Sequence, residues 1–422
     1  MSSKPRLTVL LAAGSTIALD PSQQDPPGMP STSDLTNAVA KMGYPQIISQ
    51  GTPFIFSQSG QKPFAIGHAT SAVSLIHRAL AGTFESVDFE LILHAVEQLI
   101  PYASVRLGAS AKVEFDPALG AFFEILRRYE VLNDWSLLRE TRRKIVLTIL
   151  EAIQRRSHNL PTSLPLHSLI STLASEFQLS LFTLNYDDVA DLARSDWIDG
   201  FSGPAETSSQ GRCWTARRFD ARTFDEERIS GQPMLVHLHG SVKFGPSRSG
   251  FGLVKYDSPQ SAFDAIKDVS GSDQTHAGQI VSLPPIISGL NKAARLLLNP
   301  EPYGFYYRAF IDSILANERL LVIGYGARDP HINTWFDQYF ARHEERRRVG
   351  WIGLLSGKMV GEQTPEKQMI TKLSDNKFED FRHCEDAGNS NRLFELDRLI
   401  LGASGFPLPV PEQPKLISFL RG

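Results

Sequence analysis

The sequence predicts an α/β protein with a parallel sheet and an inserted helical module. Six short apolar runs are typical of buried strands, and helical apolar spacing separates most of them. Strands that alternate with helices indicate a parallel sheet with right-handed crossovers. The predicted strands cover residues 7–13, 179–184, 234–238, 285–288, 320–324 and 349–355.

The long interval after the first predicted strand carries helical patterns instead of strands. Apolar residues recur there at spacings of three and four over residues 70–80, 87–99, 119–129 and 137–156. We therefore predict a discontinuous α/β domain formed by residues 1–40 and 165–400. Residues 41–164 form the helical module inserted into it.

The last residues, 401–422, are predicted to form an extended C-terminal arm. Four prolines lie between residues 407 and 414, and an apolar tip with Leu416, Phe419 and Leu420 follows them. Proline fixes φ and removes a backbone donor, which favours an extended segment. The tip would dock on a neighbouring subunit, or the tail would fold back on its own domain.

Composition sets the class of protein. The chain has 422 residues, a net charge of -3, 42% hydrophobic residues and 21% charged residues, as in ordinary globular proteins. Nothing global predicts attraction to nucleic acid or membrane. Cys213 and Cys384 stand far apart, which argues for a reducing compartment and against a thiolate zinc site. With no signal-peptide pattern at the N-terminus, we expect a cytoplasmic protein.

Two strand ends carry the most informative polar residues. One apolar run ends in Asn185 and Asp187, and a second ends in His239, Gly240 and Ser241. Since open α/β sheets bind ligands beyond the carboxyl ends of their strands, both ends predict one polar site. An ordinary imidazole titrates near pH ~6.5, so His239 could accept a proton at neutral pH. His237, two residues earlier on the strand, serves better as a structural histidine.

Two further segments have the character of ligand-binding turns, and the second leads into a helix start. Gly14, followed by two hydroxyl side chains, would let the backbone approach a phosphate. Gly324 and Gly326 follow a strongly apolar strand and would allow close approach in the same way. Asp329 and Pro330 have the pattern of an N-cap and first helical residue, which indicates a structural role for Asp329. His331 would have a structural or ribose-contact role.

Four blocks in order resemble the sirtuin family of NAD-consuming enzymes, particularly the sirtuin-like NADases of bacterial antiphage systems. The blocks are Leu11-Ala-Ala-Gly14-Ser-Thr16, Gly28-Met-Pro30-Ser31, Thr183-Leu-Asn185-Tyr-Asp187 with Leu238-His239-Gly240-Ser241, and Ile323-Gly-Tyr-Gly-Ala-Arg-Asp329-Pro-His331. Ala12 stands where the family usually has glycine, and residues 40–165 match no motif. The resemblance implies a Rossmann-like sirtuin fold.

The resemblance also implies roles for individual residues. Asn185 would position the nicotinamide ribose and the attacking water, and His239 would be the catalytic base. The residues expected to bind NAD are Ala13, Gly14, Ser15, Thr16, Pro30, Ser31, Asp187, Gly240, Ser241, Gly324, Tyr325 and Gly326.

The missing cysteines indicate a branch of the family. Protein-deacylating sirtuins carry a module with four zinc-binding cysteines, and this chain has two. The resemblance therefore favours hydrolysis of NAD to nicotinamide and ADP-ribose, with NAD as substrate and no metal expected.

Three functions remain open at this point. The first is an NAD glycohydrolase that depletes NAD as the effector of an antiphage system. The second is an NAD-dependent deacylase or ADP-ribosyltransferase, and the third is a non-catalytic nucleotide-binding subunit of a defence assembly. A Rossmann oxidoreductase is disfavoured because the full Gly-x-Gly-x-x-Gly pattern is missing. The expected partners are other copies of the chain and a HerA-type ATPase.

Overall fold

The structure is a computed structural model that describes most of the chain. It covers residues 4–16, 29–41, 72–106, 135–157, 160, 164–207, 214–248, 251–268, 273–276, 279–282, 284–288, 292, 300–353, 364–373, 393–396, 398–402, 408 and 410–422. Gly28, Cys213, Cys384 and the helix predicted at 119–129 lie outside the described residues.

A seven-stranded sheet forms the centre of the protein. In chain order, the strands of this sheet and of two smaller sheets are β1 (Arg6–Leu11), β2 (Gln178–Thr183), β3 (Ala205–Thr207), β4 (Thr215–Arg218), β5 (Met234–His237), β6 (Phe244–Pro246), β7 (Leu253–Tyr256), β8 (Asp273–His276), β9 (Gln279–Ser282), β10 (Arg319–Ile323), β11 (Arg348–Ile352), β12 (Leu393–Leu396) and β13 (Leu399–Gly402). The sheet order is β12-β13-β11-β10-β1-β2-β5. Every neighbouring pair except β12 and β13 is parallel, which confirms the predicted class.

Helices cover both faces of this sheet. In chain order, the α-helices of the described residues are α1 (Thr32–Ala40), α2 (Ala72–Ala81), α3 (Phe89–Arg106), α4 (Trp135–Ser157), α5 (Pro165–Glu176), α6 (Val189–Leu192), α7 (Ala221–Glu227), α8 (Pro259–Asp268), α9 (Phe305–Ala316), α10 (Pro330–His343), α11 (Pro365–Leu373) and α12 (Gln413–Arg421). Among the described residues, none of the helices combines the length and apolar character needed to cross a membrane.

The alternation of β1 shows how the two faces are filled. Leu7, Val9 and Leu11 belong to a core shared with α2, α3, α4 and α5. Leu10 lies on the opposite face, in a second core with α9 and α10. Side chains that alternate across a strand reach opposite faces, so β1 is buried on both sides. The helices of the predicted module therefore cover one face of the sheet.

The prediction of a strand at 285–288 is wrong. Ile286 makes only an isolated bridge to Gly240, and no ladder forms around it. Pro284 and Pro285 lack the backbone N–H that a strand in the middle of a sheet needs. The segment instead supports the turn after β5. The sequence analysis also missed β12, β13 and a small antiparallel sheet with the order β3-β4-β7-β6.

The prediction of an extended C-terminal arm is also wrong, because residues 413–421 form α12. Pro414 lies in the first turn of this helix, where a missing N–H leaves no intrahelical bond unmade. Leu416, Phe419 and Leu420 are buried in the core of their own chain, and the helix packs against β11 and α5. The tail thus folds back on its own domain.

Leu416 provides a test of this docking. Leu416→Ala is expected to lower the free energy of unfolding by ~2–5 kcal/mol, because a fully buried leucine leaves a cavity. Ser418→Ala, on the exposed side of the same helix, is the matched control and should change it little. Urea denaturation measures both, and equal midpoints for the two variants would contradict the packing of α12.

Candidate functional site

The candidate site lies where the order of the sheet reverses. The strands on the two sides of β1 are β2 and β10. After β2 the sheet grows toward one edge through β5, and after β10 it grows toward the other edge through β11. Crevices at such switch points, beyond the carboxyl ends of the strands, are where open α/β sheets bind ligands. A cavity of about 510 Å³ lies there, within the usual range for small-molecule sites.

Asn185 joins the end of β2 to the turn after β1. Its side-chain amide donates hydrogen bonds to Ser15 Oγ at 3.2 Å and Thr16 Oγ1 at 3.1 Å. The Thr16 hydroxyl in turn donates to Asp187 Oδ2 at 3.0 Å. The Asn185 amide oxygen has no hydrogen-bond partner among the residues that the structure describes. That oxygen is therefore free to accept a hydrogen bond from a ligand.

Asp187 is a buried carboxyl group at the floor of the cavity. Burial raises its pKa from 3.8 to about 6, although hydrogen bonds from the Val189 N–H and the Thr16 hydroxyl oppose the shift. Because the pKa is higher in the folded protein, the stability contributed by Asp187 is complete below pH 3.8. It is lost as the pH rises through about 6.

An uncharged side chain at this position should remove that pH dependence. Asp187→Asn is expected to be more stable than the wild type at pH 8, by up to ~3 kcal/mol, because burial no longer opposes a charge. The difference should vanish near pH 4, where both side chains are neutral. Thermal midpoints of both proteins between pH 4 and pH 8 measure it. A difference that stays constant across that range would contradict the raised pKa of Asp187.

His239 follows β5 in a turn that only glycine allows. Gly240 has a φ of +93°, and a Cβ there would lie 2.1 Å from the Pro285 carbonyl oxygen. The Ile287 N–H donates to the His239 carbonyl at 2.7 Å, which fixes the turn from the other side. His239 lines the cavity, whereas Gly240 and Ser241 hold it in place from outside the lining. They were predicted to bind NAD.

His331, from the first turn of α10, faces His239. The two Nε2 atoms lie 3.1 Å apart, so one of them carries the hydrogen that the other accepts. Burial and the positive charge of Lys292 hold the pKa of His239 well below its ordinary value. Burial lowers the pKa of His331 to about 4. Both rings are therefore uncharged at neutral pH, and the ordinary pKa assumed for His239 does not apply.

A partly buried cluster of one lysine and two carboxylates extends from this histidine pair to the helical module. Lys292 Nζ lies 2.8 Å from Asp329 Oδ1 and 2.9 Å from Glu90 Oε2 on the first turn of α3. Asp329 occupies the N-cap position with Pro330 after it, as predicted, but its side chain binds Lys292 and does not cap the helix. Burial would raise the pKa of Asp329, but Lys292 and His239 lower it to about 2.

The sequence analysis missed the part of the lining that the module provides. Asp88, Phe89 and Glu90 line the cavity from the start of α3, as Ile153 does from α4. A capping pattern was the only local signal, since Asp88 Oδ1 accepts a hydrogen bond from the Leu91 N–H at 2.9 Å.

The turn after β1 packs closely against the turn after β10. Gly14 donates its N–H to the Gly324 carbonyl at 3.1 Å, and a Cβ on Gly14 would lie 2.8 Å from Gly324 Cα. The close approach that glycine permits is therefore made to another backbone turn, and the contact of Gly14 with a phosphate stays a prediction. Ala13 and Thr16 line the cavity, while Gly14 and Ser15 are outside its lining.

The remaining predicted ligand-binding residues divide in the same way. Pro30, Gly324, Tyr325 and Gly326 line the cavity. Ser31 instead caps α1, where its hydroxyl accepts from the Asp34 N–H and the Asp34 carboxylate accepts from the Ser31 N–H.

His237 makes contacts of a structural kind. Its side chain is buried, and its Nε2 lies 2.7 Å from Asp191 Oδ2. Lys255 also binds Asp191, at 2.6 Å, and neither of these two residues lines the cavity.

The fold and the cavity define an α/β protein with a ligand site at the switch point of its parallel sheet. Residues 179–376 match a family model described as the SIR2-like domain. The match supports a place in the sirtuin-like superfamily and, with the sheet, confirms the Rossmann-like fold. Because SIR2-like proteins are in general NAD-dependent enzymes, it indicates an NAD-related activity. No curated protein matches the chain.

Proposed function

We propose that the cavity binds NAD and that the protein hydrolyses its nicotinamide–ribose bond. The observation that carries the proposal is the meeting of Asn185 and His239 in one cavity. They follow the adjacent parallel strands β2 and β5 and lie within the SIR2-like match. A carboxamide and a neutral imidazole can orient and deprotonate a water molecule, and this is the assistance that the reaction needs.

The dinucleotide would lie across the switch point. The Asn185 amide oxygen can accept a hydrogen bond from a ribose hydroxyl or from the attacking water. Arg328 is exposed and lines the cavity after β10, where it offers a positive charge to the phosphates. Among the described residues, none places a heavy atom within 4 Å of where a Gly326 Cβ would stand, so a ligand can approach this backbone closely.

The chemistry then requires little from the protein beyond placement. The bond between the ribose carbon and the nicotinamide nitrogen breaks, its electron pair stays with nicotinamide, and the ribose acquires oxocarbenium character. Water attacks that carbon, and a proton of the water passes to His239. For His239 Nε2 to accept this proton, its hydrogen bond with His331 Nε2 has to open as the water approaches.

Product analysis tests this function. Purified full-length protein is incubated with NAD, and nicotinamide and ADP-ribose are quantified by chromatography. We expect the wild type to form nicotinamide and ADP-ribose in equal amounts. Asn37→Ala, which changes an exposed residue on α1, is the control and should form them at the same rate. Asn185→Ala should form them ~10²–10⁴-fold more slowly, as is typical when a positioning group is lost.

Two outcomes would favour the other functions. NAD that binds in calorimetry but stays intact would indicate a non-catalytic nucleotide-binding subunit. NAD consumption that appears only when an acylated peptide is added would indicate a deacylase.

The biological setting is part of the same proposal. From the resemblance, we propose that the protein depletes NAD as an antiphage effector, as a homo-oligomer with a HerA-type ATPase as partner. The ion pair between Glu90 and Lys292 supports regulation through the helical module, because it joins α3 to the cavity. Chromatography of the chain with and without such an ATPase, followed by the NAD assay, would test the partnership.

A further inference from the structure

We infer that His239, His331 and Asp329 form a binding site for a transition metal ion of the Zn²⁺ type, and that the bound ion inhibits the protein. The binding of the ion stands independently of the proposed function. Its inhibitory effect rests on that function, because the ion would occupy the Nε2 of His239.

The geometry of the two imidazoles suits one ion. Their Nε2 atoms lie 3.1 Å apart, and zinc–nitrogen bonds are ~2.0–2.1 Å long. An ion at that distance from both atoms would see them at roughly 95–100°, between the octahedral and tetrahedral angles. The ligand atoms of His239, His331 and Asp329 all lie within 4.8 Å of one another. The Asp329 carboxylate, which Lys292 holds, would have to turn toward the ion to bind it.

The chemistry of the donors selects the class of ion. Two imidazole nitrogens and a carboxylate suit zinc and its neighbours, whereas Mg²⁺ and Ca²⁺ prefer oxygen ligands alone. The ring that carries hydrogen on Nε2 would move it to Nδ1, so both Nε2 lone pairs become available. The ion therefore binds without net release of a proton from either ring.

Lys292 is the cation that competes for this site. Its ammonium holds Asp329 at 2.8 Å and would repel a divalent ion bound to the same carboxylate. Its second contact, to Glu90 at 2.9 Å, lets the ammonium stay paired when Asp329 turns to the ion. Removal of the positive charge should therefore strengthen zinc binding, and this direction distinguishes the proposal from general damage to the site.

Calorimetry on the full-length protein tests the binding. After treatment with a chelator, the protein is titrated with ZnCl₂, and Co²⁺ absorption gives the coordination. We expect one ion per chain. His331→Ala should weaken binding by more than ~100-fold, since a lost ligand costs more than the ~10–100-fold of an outer-shell change. Lys292→Met should tighten it by on the order of 10-fold.

Two further variants keep the test decisive. His343→Gln changes another buried histidine of α10, which contacts the Ile314 carbonyl, and should leave zinc binding unchanged. If Lys292→Met fails to fold, Glu90→Gln replaces it. That change leaves Asp329 as the only charged partner of Lys292 within the described ranges, and it should weaken zinc binding.

The NAD assay forms a separate arm. Zinc should inhibit the wild type, a chelator should restore full activity, and Mg²⁺ should have no effect. A wild type that binds no zinc, or His331→Ala and His343→Gln variants that bind it equally well, would overturn the site. If NAD is never cleaved, calorimetry still decides whether the metal site exists.

Discussion

His239→Ala is expected to lower kcat for NAD cleavage by ~10²–10⁴-fold while KM changes little. The imidazole lines the cavity beside Asn185 and would act on the attacking water only as the transition state forms. The rate of nicotinamide release at several NAD concentrations separates kcat from KM.

The same substitution at His77 provides the control. His77 lies on α2 and is not part of the cavity lining, so His77→Ala should keep the wild-type rate. Circular dichroism would confirm that both variants are folded. A folded His239→Ala variant with the wild-type rate would exclude His239 from the chemistry.

Gly324→Ala is expected to lower the free energy of unfolding by on the order of 3 kcal/mol or more, and to abolish NAD binding. Gly324 has a φ of +70°, and a Cβ there would lie 2.2 Å from the Ser15 backbone nitrogen. One of the two backbone turns would have to move. Asn185 would then lose its anchors at Ser15 and Thr16.

Gly326→Ala is the matched control for stability. It lies two residues further along the same loop, and no heavy atom of the part of the chain that the structure describes lies within 4 Å of the position its Cβ would take. Urea denaturation of both variants should show a large shift for Gly324→Ala and a change within ~0.5 kcal/mol for Gly326→Ala. Similar midpoints for the two would show that the turns after β1 and β10 do not cross closely.

The placement of Asn185 and His239 was predictable because it depends on local pattern. Each residue directly follows a buried strand, and neighbouring parallel strands end at the same edge of the sheet. Lys292 and Glu90 were not predictable, because their pairing depends on how the helical module packs. No local pattern distinguishes Lys292 from an ordinary surface lysine.

The errors of the sequence analysis have related causes. Prolines indicated an extended tail after residue 401, but Pro414 lies where a helix tolerates proline, and burial of Leu416 stabilises the helix. Gly14 was assigned to a phosphate because a glycine shows that something approaches closely without showing what. In the structure the neighbour is Gly324, which is 310 positions away in the sequence.

The Lys292 ion pair restricts how this protein can be recombined with relatives. A helical insertion is usually treated as an interchangeable unit, yet Glu90 at the start of α3 supplies one of the two carboxylates around Lys292. A chimera that receives a module without an acidic residue at this position would lose the carboxylate of Glu90. Lys292 would then lie beside the histidine pair with the carboxylate of Asp329 alone to neutralise it. Grafts in which position 90 is transferred together with Lys292 and Asp329 should therefore tolerate exchange better than grafts cut at the module boundaries.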